Sequence, residues 1–266
     1  MSDVLQEKLS IQGTDSHVGL IVLNRVEAYN ALSPAVIEKI DESIEEYEKD
    51  TSVCLIAITG NGVAFSTGGD LKFYREIIDT EDKFDLWVKY AGQVMGKLAS
   101  SRKPTVALVN GLCIAGGLEI LLSCDFAYAV ESAKFGDGHA NYAVIGGYGS
   151  QSRLPKRIGL PRALEMLFTA RMIDAEQALE WGLVNKVVPM NRLIDECLTL
   201  GSELAGKSAE TTARVKNLSY ACVELSDEAA IDLERSVTVQ HASESEDMRI
   251  GLEAFEKKTQ PVFRRG

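Results

Sequence analysis

Short apolar runs alternating with helical stretches set the strictest limit on how this chain folds. Residues 18–23, 53–59, 105–109 and 126–130 are brief and apolar, which marks buried strands. Between them the periodicity changes. Ser33 is placed to cap a helix with Pro34 at its first position, and Val36, Ile37, Ile40, Ile44 and Tyr47 share one side of it. Residues 82–99 read as a longer helix with Leu86, Tyr90, Val94 and Leu98 on its inner side, and residues 118–122 as a short one. This alternation predicts an α/β fold with parallel strands and right-handed crossovers. Further on, Asp174 precedes a helix that Gly182 ends, and residues 184–188 form a last strand. From about residue 191 to 258 every segment reads as helix. The expected division is an α/β core over residues 1–200 and a helical C-terminal region over 201–266.

Composition excludes several kinds of function. Acids outnumber bases 39 to 28, and the net charge of −11 repels nucleic-acid backbones and anionic membrane surfaces. The most apolar stretch, 105–130, is broken by Asn110, Glu119 and Asp125, so it reads as core and not as a membrane span. The start is polar and has no apolar signal core. Five dispersed cysteines without a CxxC pair read as reduced thiols, which together with the polar start implies a cytoplasmic protein. His17, His139 and His241 stand far apart, so no metal site is expected. Phosphate-loop, dinucleotide, zinc-protease and serine-hydrolase motifs are all missing.

Two turns remain that share a design. Phe65-Ser66-Thr67-Gly68-Gly69-Asp70-Leu71 and Asn110-Gly111-Leu112-Cys113-Ile114-Ala115-Gly116-Gly117-Leu118-Glu119 each follow a buried strand and open a helix. Ligands of open α/β sheets bind at such strand ends. Glycines let backbone N–H groups approach a ligand, and two aimed at one point can hold a carbonyl oxygen that gains negative charge. Either turn alone is better read as a tight bend. The pair, with Glu119 one turn into the second helix, favours a site.

These two turns resemble the signature segments of the enoyl-CoA hydratase/isomerase family, the crotonase superfamily. The resemblance extends to the segment Asn24-Arg25-Val26-Glu27-Ala28-Tyr29-Asn30-Ala31-Leu32, to Ser123-Cys124-Asp125-Phe126, to Phe135-Gly136 and to Arg153-Leu154-Pro155. It implies a crotonase-like spiral of βαβ units followed by a helical trimerisation region. It implies an acyl-CoA thioester as substrate, with coenzyme A part of that substrate and no further cofactor. By position it makes Gly69 and Gly116 the oxyanion-hole donors and Glu119 a catalytic carboxylate. It sets Lys72 facing the CoA phosphates and the backbone of Ala28 and Tyr29 beside the adenine, with Lys257 or Lys258 as a further phosphate contact. A homotrimer or a dimer of trimers is the implied assembly.

One departure from the family pattern matters. The second catalytic glutamate of hydratases lies four residues after the Phe of Phe-Gly, and counting from Phe135 reaches His139. The 136–150 connector that holds it is long and carries five glycines, as functional loops do. Imidazole moves protons near neutral pH, so His139 is the second expected catalytic residue, against the plainer reading of a loop-bonded histidine. Asp137, Asn141 and Tyr148 are the pocket candidates around it. His17 and His241 carry no pattern that suggests chemistry. The expected function is enoyl-CoA hydration. The alternatives are isomerisation or C–C bond hydrolysis through His139, and an acyl-CoA-binding protein without catalysis.

Overall fold

The computed structural model describes residues 2–264; Met1 and the last two residues of the C-terminal region lie outside the described residues. The first half runs β1 (Val4–Ser10), β2 (His17–Leu23), α1 (Pro34–Lys49), β3 (Val53–Gly60), β4 (Ala64–Ser66), α2 (Leu71–Ile77) and α3 (Glu81–Ser100). It continues with β5 (Thr105–Val109), β6 (Leu112–Ile114), α4 (Gly116–Leu122), β7 (Phe126–Val130) and β8 (Lys134–Gly136). Then come α5 (Ser150–Ile158), α6 (Leu160–Thr169), β9 (Ile173–Asp174), α7 (Ala175–Glu180) and β10 (Lys186–Val188). The C-terminal region is α8 (Leu193–Ala205), α9 (Ala209–Cys222), α10 (Asp227–Glu244) and α11 (Glu246–Lys257).

Two sheets result. The larger has the order β1-β2-β3-β5-β7-β10, and every pair in it is parallel except β1 with β2. The smaller has the order β4-β6-β8-β9, with β4, β6 and β8 parallel. The chain therefore climbs in repeated turns: β3 then β4, β5 then β6, β7 then β8, each a long strand of one sheet followed by a short strand of the other. The two glycine-rich segments read from sequence as turns each begin on or contain one of these short strands, β4 and β6. Three-residue strands have too little alternation to separate them from a turn. His17 opens β2.

Helix α1 forms as its sequence dictates. Ser33 Oγ accepts the Val36 N–H, and Val36, Ile37, Ile40, Ile44 and Tyr47 are buried. The inner side of α3 is turned by one residue from expectation in its first half. Val94 and Leu98 are buried as expected, but Leu86 is 63% exposed, and Trp87, Ala91 and Met95 complete the buried side. The Trp87 ring sets that rotation by packing edge-on against Phe73, 5.0 Å between centroids.

The C-terminal helices contrast with this core. None of the 18 residues of α10 is buried, and Ile231, Val239, Leu252 and Phe255 stand exposed on α10 and α11. No helix of the described residues is long and apolar enough to cross a membrane.

Candidate active site

The successive turns of the spiral touch at their glycines. Gly68 has φ +94°, and a Cβ there would lie 2.7 Å from both Ala115 Cβ and the Gly116 nitrogen. At Gly117 a Cβ would sit 2.2 Å from the carbonyl oxygen of Ser66. Larger residues would hold the two corners apart. The Asn30-Ala31-Leu32 segment braces the first corner. Leu32 N–H donates to Gly68 O, Ser66 Oγ donates to Asn30 O, and the buried Asn30 amide donates to Ala64 O at 2.7 Å. Asp70 caps α2 through the Lys72 and Phe73 N–H groups and pairs with Arg25 at 2.7 Å.

This contact brings Gly69 and Gly116 together. A Cβ on Gly116 would lie 3.3 Å from the Gly69 nitrogen. Among the described residues, neither Gly69 N–H nor Gly116 N–H has a hydrogen-bond acceptor. Gly116 opens α4, so its donor is one of the unpaired amides of a helix start. Ala115, just before it, holds φ 51° and ψ −119°. An L-residue seldom adopts that conformation.

Behind the two donors lies a cavity of about 430 Å³ lined by Gly69, Tyr74, Gly116, Glu119, His139 and Tyr148, among others. Glu119, on the first turn of α4, has no exposed surface. Its Oε1 accepts the backbone N–H groups of Tyr148 at 2.8 Å and Ser150 at 3.0 Å. Its Oε2 is buried and has no hydrogen-bond partner. Burial raises its pKa above the usual carboxylate range, against the two N–H bonds and the charge of His139, which oppose the rise. The loop that supplies those N–H groups is itself tied down. Arg153 donates to Tyr148 O at 2.8 Å and to Ser123 Oγ at 3.1 Å, and Ser123 Oγ donates to Glu119 O.

His139 starts a single 3-10 turn, residues 139–142, in the connector. Its Nδ1 lies 2.9 Å from Asp137 Oδ1, and Asp137 is buried. A carboxylate only accepts, so Nδ1 carries the proton, and Nε2 has no partner among the described residues. Burial lowers the imidazole pKa, but the Asp137 hydrogen bond, the Asp137 charge and the Glu119 charge together outweigh it, and the net shift is upward. The imidazole and the Glu119 carboxylate face the same small space. A Cβ on Gly146 would stand 3.0 Å from His139 Cε1 and 3.1 Å from both Glu119 Oε1 and Ser150 Oγ.

The other residues singled out in the sequence fall in different places. Asn141 is exposed on the short 3-10 turn and lines the same cavity. Tyr148 is buried, and both its backbone and its ring take part in the wall. Lys72 is exposed on α2, one residue past the cavity-lining Leu71. Ala28 is half-buried and Tyr29 is 52% exposed, with Tyr29 O accepting the Thr67 N–H of the first corner. Lys257 pairs with Glu253 on α11, and neither it nor Lys258 lines the cavity. His241 lies on α10 within 3.3 Å of Thr211 Oγ1. Sequence reasoning gave no role in the site to Tyr74, Ser150 or Arg153, although Arg153 lies in a segment that carries the family resemblance. Tyr74 had one available signal: it stands four residues after the helix cap Asp70, so the first turn of α2 returns it over Gly69.

Three comparisons bear on this site. The family model described as Enoyl-CoA hydratase/isomerase matches residues 13–266. A probable enoyl-CoA hydratase of Rhizobium meliloti (strain 1021) is 32% identical over 254 residues, covering 94% of this chain and 96% of its own. The mitochondrial enoyl-CoA hydratase of Pongo abelii is 30% identical over 253 residues, covering 95% of this chain and 86% of its own. Among solved structures, the enoyl-CoA hydratase of Bacillus anthracis superposes with a TM-score of 0.89 at 28% identity, covering 99% of this chain and 100% of that one.

Proposed function

Because the chain belongs to the enoyl-CoA hydratase/isomerase family and has its crotonase-type fold, we propose that it adds water across the C2–C3 double bond of an acyl-CoA thioester and removes it in reverse. The observation that carries this reading is the free Oε2 of buried Glu119 in the same cavity as His139, behind two unpaired backbone N–H groups. The thioester oxygen sits between Gly69 N–H and Gly116 N–H. Glu119 takes a proton from water as the water oxygen bonds to C3. The electrons of the double bond move onto the thioester oxygen, and the two N–H groups hold the resulting enolate. Loss of one such donor costs about 2.7–4 kcal/mol of barrier in other enzymes. His139, as an imidazolium backed by Asp137, gives its proton to C2 and restores the carbonyl. Glu119 then loses its proton and His139 regains one, which closes the cycle. Lys72 would meet the CoA phosphates as an exposed charge, and the Ala28–Tyr29 backbone would border the adenine.

The exposed apolar residues of α10 and α11 support assembly into a trimer or a dimer of trimers. Sedimentation at micromolar concentration should give that mass, and a stable monomer would refute it. The five free cysteines accord with a cytoplasmic enzyme.

The direct test is turnover of crotonyl-CoA by the purified protein, with His139→Ala lowering kcat by about tenfold or more. Full activity in His139→Ala would remove the histidine from the chemistry. A second reading is favoured by the Asp137–His139 pair itself. Such a pair can serve as a general base for double-bond isomerisation or for hydrolysis of a C–C bond next to a ketone. Failure to hydrate crotonyl-CoA together with turnover of a 3-enoyl-CoA or a 3-oxoacyl-CoA would establish it. Tight acyl-CoA binding with no turnover of any of these would leave a binding protein.

A further inference from the structure

Two phenols close one wall of the cavity, and their hydrogen bonding does not balance within the protein. Tyr74 and Tyr148 are hydrogen-bonded hydroxyl to hydroxyl, and both line the cavity with Glu119. The pair brings two O–H protons, and the bond between them uses one. Trp87 packs behind them, and its indole N–H faces both hydroxyl oxygens without a closed hydrogen bond. Indole can only donate, so it cannot take the second proton. Neither hydroxyl bonds to Glu119 or to any other acceptor among the described residues. Burial, first among the causes, pushes the pKa of both phenols up, so both keep their protons. One O–H donor is therefore left over at a wall that is mostly buried, where an unmet donor is costly.

The position of this donor says what it meets. The Tyr74 hydroxyl lies 2.8 Å from where a Gly69 Cβ would stand, beside the place of the thioester carbonyl. Tyr148 follows the loop that faces Glu119, which works at C2 and C3. On the acyl-CoA reading, acyl atoms beyond those carbons would continue along the cavity wall that the pair lines.

We propose that Tyr74 and Tyr148 select acyl-CoA substrates that carry an oxygen, carbonyl or hydroxyl, at C4 or C5 of the acyl chain. This deepens the reading of the cavity as an acyl-CoA site and rests on it. A hydrocarbon chain leaves the spare proton unmet, whereas a chain oxygen accepts it. Sites built around a hydrogen bond reject analogues that lack the partner more strongly than apolar pockets reject a missing methylene.

The experiment measures binding, so it does not depend on which reaction is catalysed. Dissociation constants of the whole protein are compared for two saturated pairs, 4-oxopentanoyl-CoA with 4-methylpentanoyl-CoA and 5-oxohexanoyl-CoA with 5-methylhexanoyl-CoA. At least one oxo ligand should bind about tenfold or more tightly than its hydrocarbon partner. In the double variant Tyr74→Phe/Tyr148→Phe that ratio should collapse to about one. Equal binding within both pairs in the wild type overturns the proposal, and so does a preference that survives in the double variant. Crotonyl-CoA turnover, measured on the same wild-type preparation, tests the hydratase reading separately. Its absence beside an intact oxo preference would sink that reaction and leave the recognition standing.

Discussion

The two walls of the cavity are built on different principles. One wall, the start of α4 with Gly116, Gly117 and Glu119, is fully buried and is positioned by backbone against backbone. The other, the 136–150 connector with Asp137, His139 and Tyr148, has one short 3-10 turn and several exposed residues. It is held by side chains: Asp137 on His139, and Arg153 on the Tyr148 carbonyl. The first wall presents the unpaired Gly116 N–H, close to that of Gly69 on the neighbouring corner, and the Glu119 carboxylate. The second presents the Asp137–His139 pair, the proposed proton donor. Rigid backbone tolerates little change, while a side-chain-held loop can exchange a carboxylate for an imidazole without moving the oxyanion donors. That difference accounts for a family-typical corner facing an atypical histidine.

The largest expected effect falls on the rigid wall. Glu119→Gln keeps the shape and its two N–H contacts but removes the base, so kcat on crotonyl-CoA should fall by about 10²- to 10⁴-fold while acyl-CoA binding persists. A loss of binding to match would mean that Glu119 holds the substrate and does not move its proton.

Two glycine variants then separate the walls. In Gly117→Ala the new methyl meets the Ser66 backbone at 2.2 Å, which cannot yield without opening the two corners. A cost of about 3 kcal/mol is expected, and a drop in Tm of about 6–12 °C. In Gly146→Ala the nearest atoms to the methyl are all side-chain atoms, His139 Cε1 at 3.0 Å and Glu119 Oε1 and Ser150 Oγ at 3.1 Å. There Tm should move by about 3 °C or less, while kcat falls by about tenfold through displacement of the two proton carriers. Equal Tm shifts in the two variants, by thermal denaturation, would erase the distinction between the walls.

Much of this contrast was already visible in the residues. Strands β2, β3, β5 and β7, the Ser33 cap and the two glycine corners were readable because each depends on local pattern or on a residue type with one conformational use. The short strands of the smaller sheet were not, since two or three residues carry no period. The rotation of α3 depended on where the Trp87 ring lands against Phe73, a tertiary fact. In the site, Glu119 was visible one turn into the helix after the second glycine corner, and the family resemblance singled out His139, with Asp137 beside it. The N–H groups of Tyr148 and Ser150 that hold Glu119 are backbone atoms, which every residue has, and no side-chain pattern marks them. Tyr74 reaches the cavity only through the turn of α2.

The smallest expected effect is on stability. Burial raises the pKa of Glu119 in the folded protein, so the carboxyl favours folding below its unfolded pKa and loses that contribution as pH rises through the folded value. Glu119→Gln abolishes this dependence. The Tm of the variant should therefore gain on the wild type as pH rises from 4 toward 8, by about 1–3 °C. A gain that shrinks over the same range would reverse the sign of the burial effect.

Whether His139 donates the proton is decided most directly by the alkaline limb of the pH profile of kcat/KM on crotonyl-CoA, compared between wild type and Asp137→Asn. The Asp137 hydrogen bond and charge help hold the His139 pKa above its ordinary 6.5. A donor must be protonated, so activity falls as pH rises through that value. Removal of the Asp137 charge lowers the His139 pKa, and the alkaline limb should move to lower pH by about one unit or more. An alkaline limb at the same pH in both proteins, with kcat at its plateau unchanged, would contradict proton donation by the Asp137–His139 pair.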